Sequence, residues 1–573
     1  MMNDGRTLIP GQFRLAPFWD NAQPASVDDR CCHNSSPGPL MMIGMKVVAL
    51  FLGALLCTTN LGFARPNFVF ILSDDMGYSD LGCYGGEIRT PNLDALAKDG
   101  LRFRNFYNNP MCCPTRASFL SGLYPHQAGM GAMTSNRGTP AYRGQLGERC
   151  VTMAQVLKSA GYQTYLSGKW HLTQIDDRSN WPCQRGFDHF YGILGGAASF
   201  YAPAYLKRNN DDASADFKNN PDYYFTDAIS DTAVDYIERA ARSDQPFFLY
   251  VSYTAAHWPL HARDEDIAKY KGRYSAGWDA LRKERYQRMK KLGVIDDSIP
   301  LSPRDPSTPS WEKAGDKEWQ QRRMEVYAAQ VTVMDEGIGR IVKALKETGE
   351  FDETLTCFFI DNGACHVEYG PKRAGYYLPT KTRSGGTMIP GNLPRVMPGP
   401  ENTYQSYGKE WANAGNTPFR FYKSYAHEGG VRTPLIVHWP GRTPGNAWTN
   451  TVSHVIDLLP TALELSGATY PREHGGETLW PLEGSSLATV FKNPAAKSSP
   501  RTIFWEHGGK RAVRDGDWKA VALGNKKPWE LYNLKNDPSE LRDLAASEKE
   551  RLTQLTAKYQ AWSKKVGVEK KRK

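Results

Sequence analysis

The chain has 573 residues, 40% of them hydrophobic and 12% aromatic, a balance that excludes intrinsic disorder and leaves ample material for a large core and two lobes. Its formal net charge of +10 points to an anionic partner only until the charge is located, because residues 564–573 alone carry six positive charges against Glu569. No zinc-finger, helix-turn-helix or RNP-like pattern accompanies the charge, so no nucleic-acid partner is expected.

Residues 1–40 are polar and Pro-rich, and Asp28 and Asp29 do not suit a signal n-region, so Met41, Met42 or Met45 reads as the true start. Lys46 then precedes an apolar run, 47–56, and Gly62-Phe63-Ala64 offers a small-x-small cleavage site before Arg65. The run is too short to span a bilayer. Residues 1–64 are therefore expected to be an upstream extension and a cleavable signal peptide. The product would be periplasmic or extracellular, with no membrane span after cleavage. Ala54-Leu55-Leu56 lacks the small residue that a lipidated Cys57 would need before it. Seven of the ten cysteines lie beyond the cleavage site, an odd number, and no CxxC pair marks zinc.

Four short apolar runs read as strands buried on both faces: 67–72, 163–167, 246–251 and 355–360. Each is followed closely by polar residues: Asp74-Asp75, Lys169-Trp170-His171, His257 and Asp361-Asn362-Gly363. Between them, 92–100, 152–160, 226–241 and 325–348 show amphipathic helical spacing. Alternating strands and helices predict a doubly wound α/β domain with a mostly parallel sheet, whose ligands sit at the carboxyl ends of the strands. Residues 263–317 read as a charged, irregular surface excursion, and 368–420, dense in Gly, Pro, Thr and Asn, as a long loop region at the site's mouth. Strands at 502–507, 511–514, 518–522 and 529–532, with a helix from 547 to about 562, predict a smaller α+β subdomain, an antiparallel sheet with one helix on it. The expected domains are thus 65–467, catalytic, and 468–573, C-terminal with a basic tail.

Asp74 and Asp75 are adjacent carboxylates at the end of a buried strand, where two like charges need a cation. Asp361 and Asn362 add oxygen ligands at another strand end. An all-oxygen set suits Ca²⁺ or Mg²⁺ rather than zinc. Either dipeptide alone reads better as a strand-ending turn; both together favour metal. Cys112-Cys113-Pro114-Thr115-Arg116-Ala117-Ser118 places a cysteine near a helix N-terminus, where free N–H groups favour anions.

Cys112-x-Pro-x-Arg116 followed by Ala-Ser-Phe-Leu-Ser-Gly-Leu-Tyr-Pro-His resembles the signature of the sulfatase family. The first strand through Gly77, then Gly168-Lys169-Trp170-His171, Ala256-His257-Trp258-Pro259, Asp361-Asn362-Gly363 and Lys423 to Pro434 resemble further family motifs in order. Asn416-Thr417-Pro418-Phe419-Arg420 is similar to the bacterial arylsulfatase branch. The resemblance implies an alkaline-phosphatase-like fold and oxidation of Cys112 to Cα-formylglycine by a formylglycine-generating or equivalent maturation enzyme. One hydroxyl of the hydrated aldehyde would attack sulfur and the other would later expel sulfate. It further implies Ca²⁺, with Mg²⁺ the lesser candidate, held by Asp74, Asp75, Asp361 and Asn362 beside Cys112. Arg116 and Lys169 would stabilise negative charge, His171 would act as base in the release step, and His257 and Lys423 would bind sulfate and assist the leaving group.

Each of these residues also has a plain reading, a strand-end charge or a packed histidine, and only their ordered combination carries the assignment. Cys113 stands where a small polar residue is common, and a Cys112–Cys113 disulfide would block oxidation. Cys365, His366, His189, His427 and Trp411 are further neighbours expected near the pocket. The competing functions are a phosphate or phosphonate monoester hydrolase on the same scaffold, a noncatalytic metal-stabilised binding homologue, and, on the aromatic content alone, a glycan-binding structural protein. The substrate expected is a sulfated small molecule or glycan.

Overall fold

A computed structural model of the protein describes residues 65–373, 375, 377–496 and 500–568. The start codon, the signal peptide and the end of the basic tail lie outside them. The central sheet has 11 strands. In chain order these are β1 (Asn67–Ser73), β2 (Leu101–Tyr107), β3 (Gln163–Gly168), β4 (His189–Ile193), β5 (Leu206–Arg208), β6 (Asp211–Asp212), β7 (Phe247–Ser252), β8 (Thr354–Ile360), β9 (Arg432–His438), β10 (Ala447–Thr449) and β11 (Ser453–His454). In space they run β10-β2-β9-β8-β1-β7-β3-β4-β5-β6, with β11 beside β2.

The four strands predicted from apolar runs are β1, β3, β7 and β8, and they lie side by side, parallel, at the middle of the sheet. Alternate residues of each run feed opposite faces. Val69, Ile71, Leu249, Val251, Phe358 and Ile360 enter one core, and Phe68, Phe70, Phe248, Tyr250, Cys357 and Phe359 enter the other. This is why the runs of β1, β7 and β8 are apolar almost throughout rather than alternating.

Helices cover both faces. The first core takes α4 (Phe225–Ala240) and α6 (Lys317–Glu347), through Ile229, Ile237, Ile338 and Ile341. The second takes α2 (Cys112–Ser121), α3 (Met153–Ser159) and α8 (Leu458–Ser466), through Phe119, Val156, Leu157 and Leu459. Thr152 and Gln155 form a capping box on α3, which sets its start. Further helices are α1 (Pro91–Lys98), α5 (Gly277–Lys291), α7 (Gly408–Gly415) and α9 (Lys549–Lys565).

Two expectations need correction. Residues 263–317 are not an irregular excursion, because they contain α5, whose buried face carries Trp278 and Arg285. Arg285 is fully enclosed and pairs with Asp80 and Glu87, so a charged sequence hides an inward-facing helix. Within 368–420 the chain is mostly irregular, but Ile389–Pro390 and Thr403–Tyr404 form a parallel ribbon and α7 buries Trp411 completely. β9, antiparallel to both β8 and β2, was not predicted; Pro434 lies inside its register shift and breaks the strand signal.

The C-terminal sheet is an antiparallel meander of β12 (Thr502–His507), β13 (Lys510–Asp515), β14 (Trp518–Ala522) and β15 (Glu530–Asn533). α9 packs on it, with Trp562 stacked on Phe504 at 5.0 Å. Trp505 Nε1 donates to Asn108 O at 2.8 Å and so ties this sheet to the chain just before α2. Beside it, Lys519 Nζ lies 2.7 Å from Glu428 Oε1 and 3.0 Å from Glu540 Oε1, with all three side chains enclosed.

Burial would raise the Glu428 carboxyl, but Lys519, Arg432 and Arg514 hold it down at about 2. A carboxyl depressed by folding adds stability above its unfolded value near 4.5, and that stability is lost as pH falls through about 2. Replacing Lys519 by Met strips the cation from two buried carboxylates and is expected to cost about 3–5 kcal/mol at neutral pH. Denaturant unfolding of Lys519→Met checks this. A midpoint equal to the parent's would refute the clamp.

Candidate active site

β1 and β8 are neighbours with Ser73 opposite Ile360, so Asp74-Asp75 and Asp361-Asn362 leave the sheet side by side. Asp75 turns through a left-handed backbone, φ 61°, and its N–H donates to Asp361 Oδ1 at 3.1 Å. All four side chains are buried. On the other side of β1, Gly168 lies opposite Ser252, and Lys169 N donates to Ser252 O at 2.7 Å. Gly168 has φ 118°, and a Cβ there would meet Ser252 O at 1.9 Å, so only glycine permits this strand ending. Lys169 and His171 follow at once.

Cys112 opens α2. Met111 before it is extended and supplies no side-chain cap, which leaves the first N–H groups of the helix without a side-chain acceptor from the cap position. The Thr115 hydroxyl donates to Asp361 O at 2.7 Å and pins the helix start to the end of β8. One turn in, Arg116 is fully enclosed. It donates to Tyr250 Oη and Lys169 O, both at 3.2 Å, to Ser252 Oγ, and to Asp74 Oδ2 at 3.2 Å. Tyr250 and Ser252 thus orient Arg116, a role their positions in an apolar run conceal.

The geometry brings every predicted site residue into one cluster. Lys169 Nζ is paired with Asp74 Oδ2. Lys423 Nζ lies 2.6 and 2.8 Å from the two oxygens of Asp75, and Asn362 Nδ2 lies 2.7 Å from Asp75 Oδ1. Cys112 Sγ is 3.4 Å from His171 Nδ1. His257 Nε2 is 3.3 Å from Asp75 Oδ2, while its Nδ1 is bonded to Trp258 O at 2.7 Å. With Nδ1 donating, the neutral ring turns a lone pair toward a carboxylate. Two facing acceptors of this kind need a shared cation or proton.

The donor set fits a hard cation. Asp74 Oδ1, Asp361 Oδ2 and Asn362 Oδ1 are enclosed without a hydrogen-bond partner, and Asp74, Asp75 and His257 can bring ligand atoms within 4.8 Å of one another. Three unsatisfied oxygens from adjacent strand ends are what Ca²⁺ or Mg²⁺ would take up. The carboxylates of Asp74, Asp75 and Asp361 balance the fixed cations of Arg116, Lys169 and Lys423. A divalent ion would add positive charge beside these ion pairs and so favour an anion.

Protonation follows from these contacts. Burial favours a neutral Asp74, but Lys169, His257 and Arg116 overcome it and hold the carboxyl well below its usual range. Burial, then the charge of Asp74, pushes Asp361 well up. The Cys112 thiol is held well below its usual value by Cys113, against burial, with help from Lys169 and Lys423. Burial lowers His171 despite Cys112, and lowers His257 to about 4 despite Asp75.

Of the other expected neighbours, His366 lies at the rim and stacks on Tyr422. His189 instead stacks on Tyr165, His427 pairs with Glu530, and Trp411 is packed among Trp278 and Trp311. The seven described cysteines are free, and Cys113 Sγ is turned toward Ala132 O and Met133 Sδ at 3.7 and 3.5 Å. A cleft of about 420 Å³ lined by Thr134, Asn136, Thr173, Gln174, Asp176 and Tyr205 opens along the chain beyond His171 and Met133, and none of the clustered residues lines it.

A mixed sheet covered by helices, with its polar cluster at the carboxyl ends of parallel strands and an antiparallel C-terminal sheet, defines an alkaline-phosphatase-like hydrolase. Residues 66–468 match the family model Sulfatase, and 418–565 match the model N-sulphoglucosamine sulphohydrolase, C-terminal. The chain belongs to the sulfatase family and is a sulfuric ester hydrolase.

It is 35% identical over 534 residues to an uncharacterized sulfatase of Schizosaccharomyces pombe, covering 88% of this chain and 94% of that one. It is 34% identical over 454 residues to an arylsulfatase of Klebsiella aerogenes, covering 76% and 94%. Among solved structures it is similar to Ps i-CgsB in complex with k-i-k-neocarrahexaose, with a TM-score of 0.61 and 27% identity over 87% of this chain and 93% of that one. Among the described residues, no helix is long and apolar enough to cross a membrane.

Proposed function

We propose that the protein is an exported, arylsulfatase-type enzyme that releases inorganic sulfate from aryl or carbohydrate sulfate esters. In this reading residues 65–467 form the catalytic domain and 468–573 a C-terminal subdomain. Residues 1–64 comprise an upstream extension and the cleavable signal peptide that directs export. Cys112 is matured to Cα-formylglycine, and Asp74, Asp75, Asp361 and Asn362 hold Ca²⁺. Mg²⁺, which demands near-octahedral geometry and keeps its waters, suits this crowded set less well.

The observation that carries the reading is the meeting of Cys112, at a helix N-terminus, with three enclosed, unsatisfied oxygens and three buried cations. The aldehyde would supply a hydrated nucleophile for sulfur, and the cation would polarise a sulfate oxygen.

The remaining chemistry belongs to the chain's own side chains. Lys169 and Arg116, both enclosed, hold positive charge beside position 112 and stabilise the anion bound there. His171 Nδ1, within reach of the position 112 side chain, accepts its proton. Lys423 and His257, on the Asp75 side, contact sulfate oxygens and assist departure of the alcohol. Burial excludes water, which strengthens each of these interactions.

Sulfate esters are monoanions and phosphate monoesters nearly dianions, so surplus fixed cations would favour phosphate. Here each of the three buried cations is already ion-paired, Arg116 and Lys169 with Asp74 and Lys423 with Asp75. A higher kcat/KM is therefore expected for nitrophenyl sulfate than for nitrophenyl phosphate. Equal or faster phosphate turnover would replace this reading with the phosphatase one. The arylsulfatase relative supports aryl esters, and the neighbour in complex with k-i-k-neocarrahexaose and a relative named N-acetylglucosamine-6-O-sulfatase support a sulfated carbohydrate as the physiological substrate.

A further inference from the structure

Outside the catalytic cluster, half-buried side chains from three parts of the chain come together: Tyr425 meets His366 and Lys510, and His507 lies opposite Lys510 on its hairpin. The loop carrying Lys423 is clamped to the residues just before Cys112. Ser424 N donates to Pro110 O at 2.6 Å, and its hydroxyl reaches Met111 Sδ at 3.1 Å. Tyr425 is thereby held beside the start of α2. His366, four residues beyond Asn362, stacks on Tyr422 at 5.1 Å and meets Tyr425 edge-on at 5.7 Å.

The C-terminal sheet supplies the rest. β12 and β13 are joined by Gly508-Gly509, with φ 61° and 91°, a two-residue turn open only to residues that accept positive φ. The turn sets His507 opposite Lys510. Glu506 anchors it, accepting from Gly509 N at 2.7 Å while bound to His126 at 3.0 Å. Lys510 Nζ then lies 4.4 Å from the centre of the Tyr425 ring.

This rim is cationic and lacks a matching acid. Burial lowers the Lys510 ammonium, and among the described residues no carboxylate pairs with it. Nearby acids are engaged elsewhere: Glu506 with His126, Glu530 with His427, Asp75 with Lys423, and Asp305 with Tyr422. Nδ1 of His366 and Nδ1 of His507 are enclosed without a hydrogen-bond partner. Burial holds both rings at about 4, so they are neutral and polar; His366 also feels the charges of Lys510, Lys409 and Lys423, and His507 lies within electrostatic range of Cys112. A partly desolvated ammonium facing only a ring, flanked by two unsatisfied imidazoles, is a site short of an anion.

We propose that Lys510, His507 and His366, together with the Tyr425 ring, form a second anion subsite, so that the preferred substrate is a sulfated sugar bearing a further acidic group next to the scissile ester. This rests on the sulfatase chemistry above and narrows its substrate class. The acid is a carboxylate or a second sulfate, both planar or tetrahedral oxyanions that an ammonium and two imidazoles can meet.

The test uses the full matured enzyme, with formylglycine content verified by peptide mass. kcat/KM is measured on a mono-O-sulfated sugar, its disulfated counterpart and a matched sulfated sugar carrying a uronic carboxylate. The parent is expected to prefer at least one doubly acidic substrate by about tenfold or more, the effect of one charge-assisted contact. Which of the two arms shows the preference identifies the acid. Lys510→Met should erase most of that ratio, chiefly through KM, and Lys510→Arg should retain it. A parent without preference, or a Lys510→Met variant whose ratio is unchanged, overturns the subsite while leaving the sulfatase reading intact. Failure of the matured parent to release sulfate from any of these sugars or from nitrophenyl sulfate sinks both.

Discussion

Cys112→Ala is expected to lower sulfate release by at least about 10⁴-fold while leaving the fold intact, as losses of a covalent nucleophile generally do. The side chain is enclosed at the first position of α2, so truncation removes one sulfur and creates no clash. Arg116, Lys169 and Lys423 keep their carboxylate partners in the variant, and the anion site survives without its nucleophile. The variant should therefore still bind inorganic sulfate. Peptide mass spectrometry of the parent should show an aldehyde in place of the thiol at this position. Full turnover by Cys112→Ala would end the formylglycine account.

Removal of the cation should have the second largest effect. Without it, Asp74 Oδ1, Asp361 Oδ2 and Asn362 Oδ1 are buried and unsatisfied, and burial beside Asp74 drives Asp361 toward its neutral form. Chelation followed by desalting is expected to cut activity by more than about 100-fold, the scale of losing one strong electrostatic stabiliser. It should also lower the thermal midpoint, since an ion present at 100 times its dissociation constant contributes about 2.7 kcal/mol. Ca²⁺ should restore both properties at lower concentration than Mg²⁺. Verified loss of metal with activity and midpoint unchanged would show that the cage has another purpose.

The features legible in the chain were those with short-range causes. Apolar runs of five or six residues can be buried on both sides only in the middle of a covered sheet, and β1, β3, β7 and β8 lie there. The helix expected at 152–160 and the C-terminal strands are likewise local, and their observed bounds fall within a few residues of expectation. α5 escaped notice because its inward face carries Arg282 and Arg285, whose partners, Ser302 for the first and Asp80 and Glu87 for the second, are distant in sequence. β9 escaped because of Pro434, and Tyr250 and Ser252 because nothing in an apolar run shows that they grip Arg116.

The sequence by itself determined the fold class and the chemistry available at each strand end, because residue type and periodicity are properties of neighbours along the chain. Only the tertiary structure decided which charges meet. That Lys423 lies on Asp75, that Arg116 is held by β7, that three oxygens are left without partners and that a C-terminal hairpin brings Lys510 to Tyr425 all depend on strand order and register. Contacts between groups hundreds of residues apart exist only once the sheet has assembled, and the electrostatic free energy of a buried group is set by the few ångströms around it.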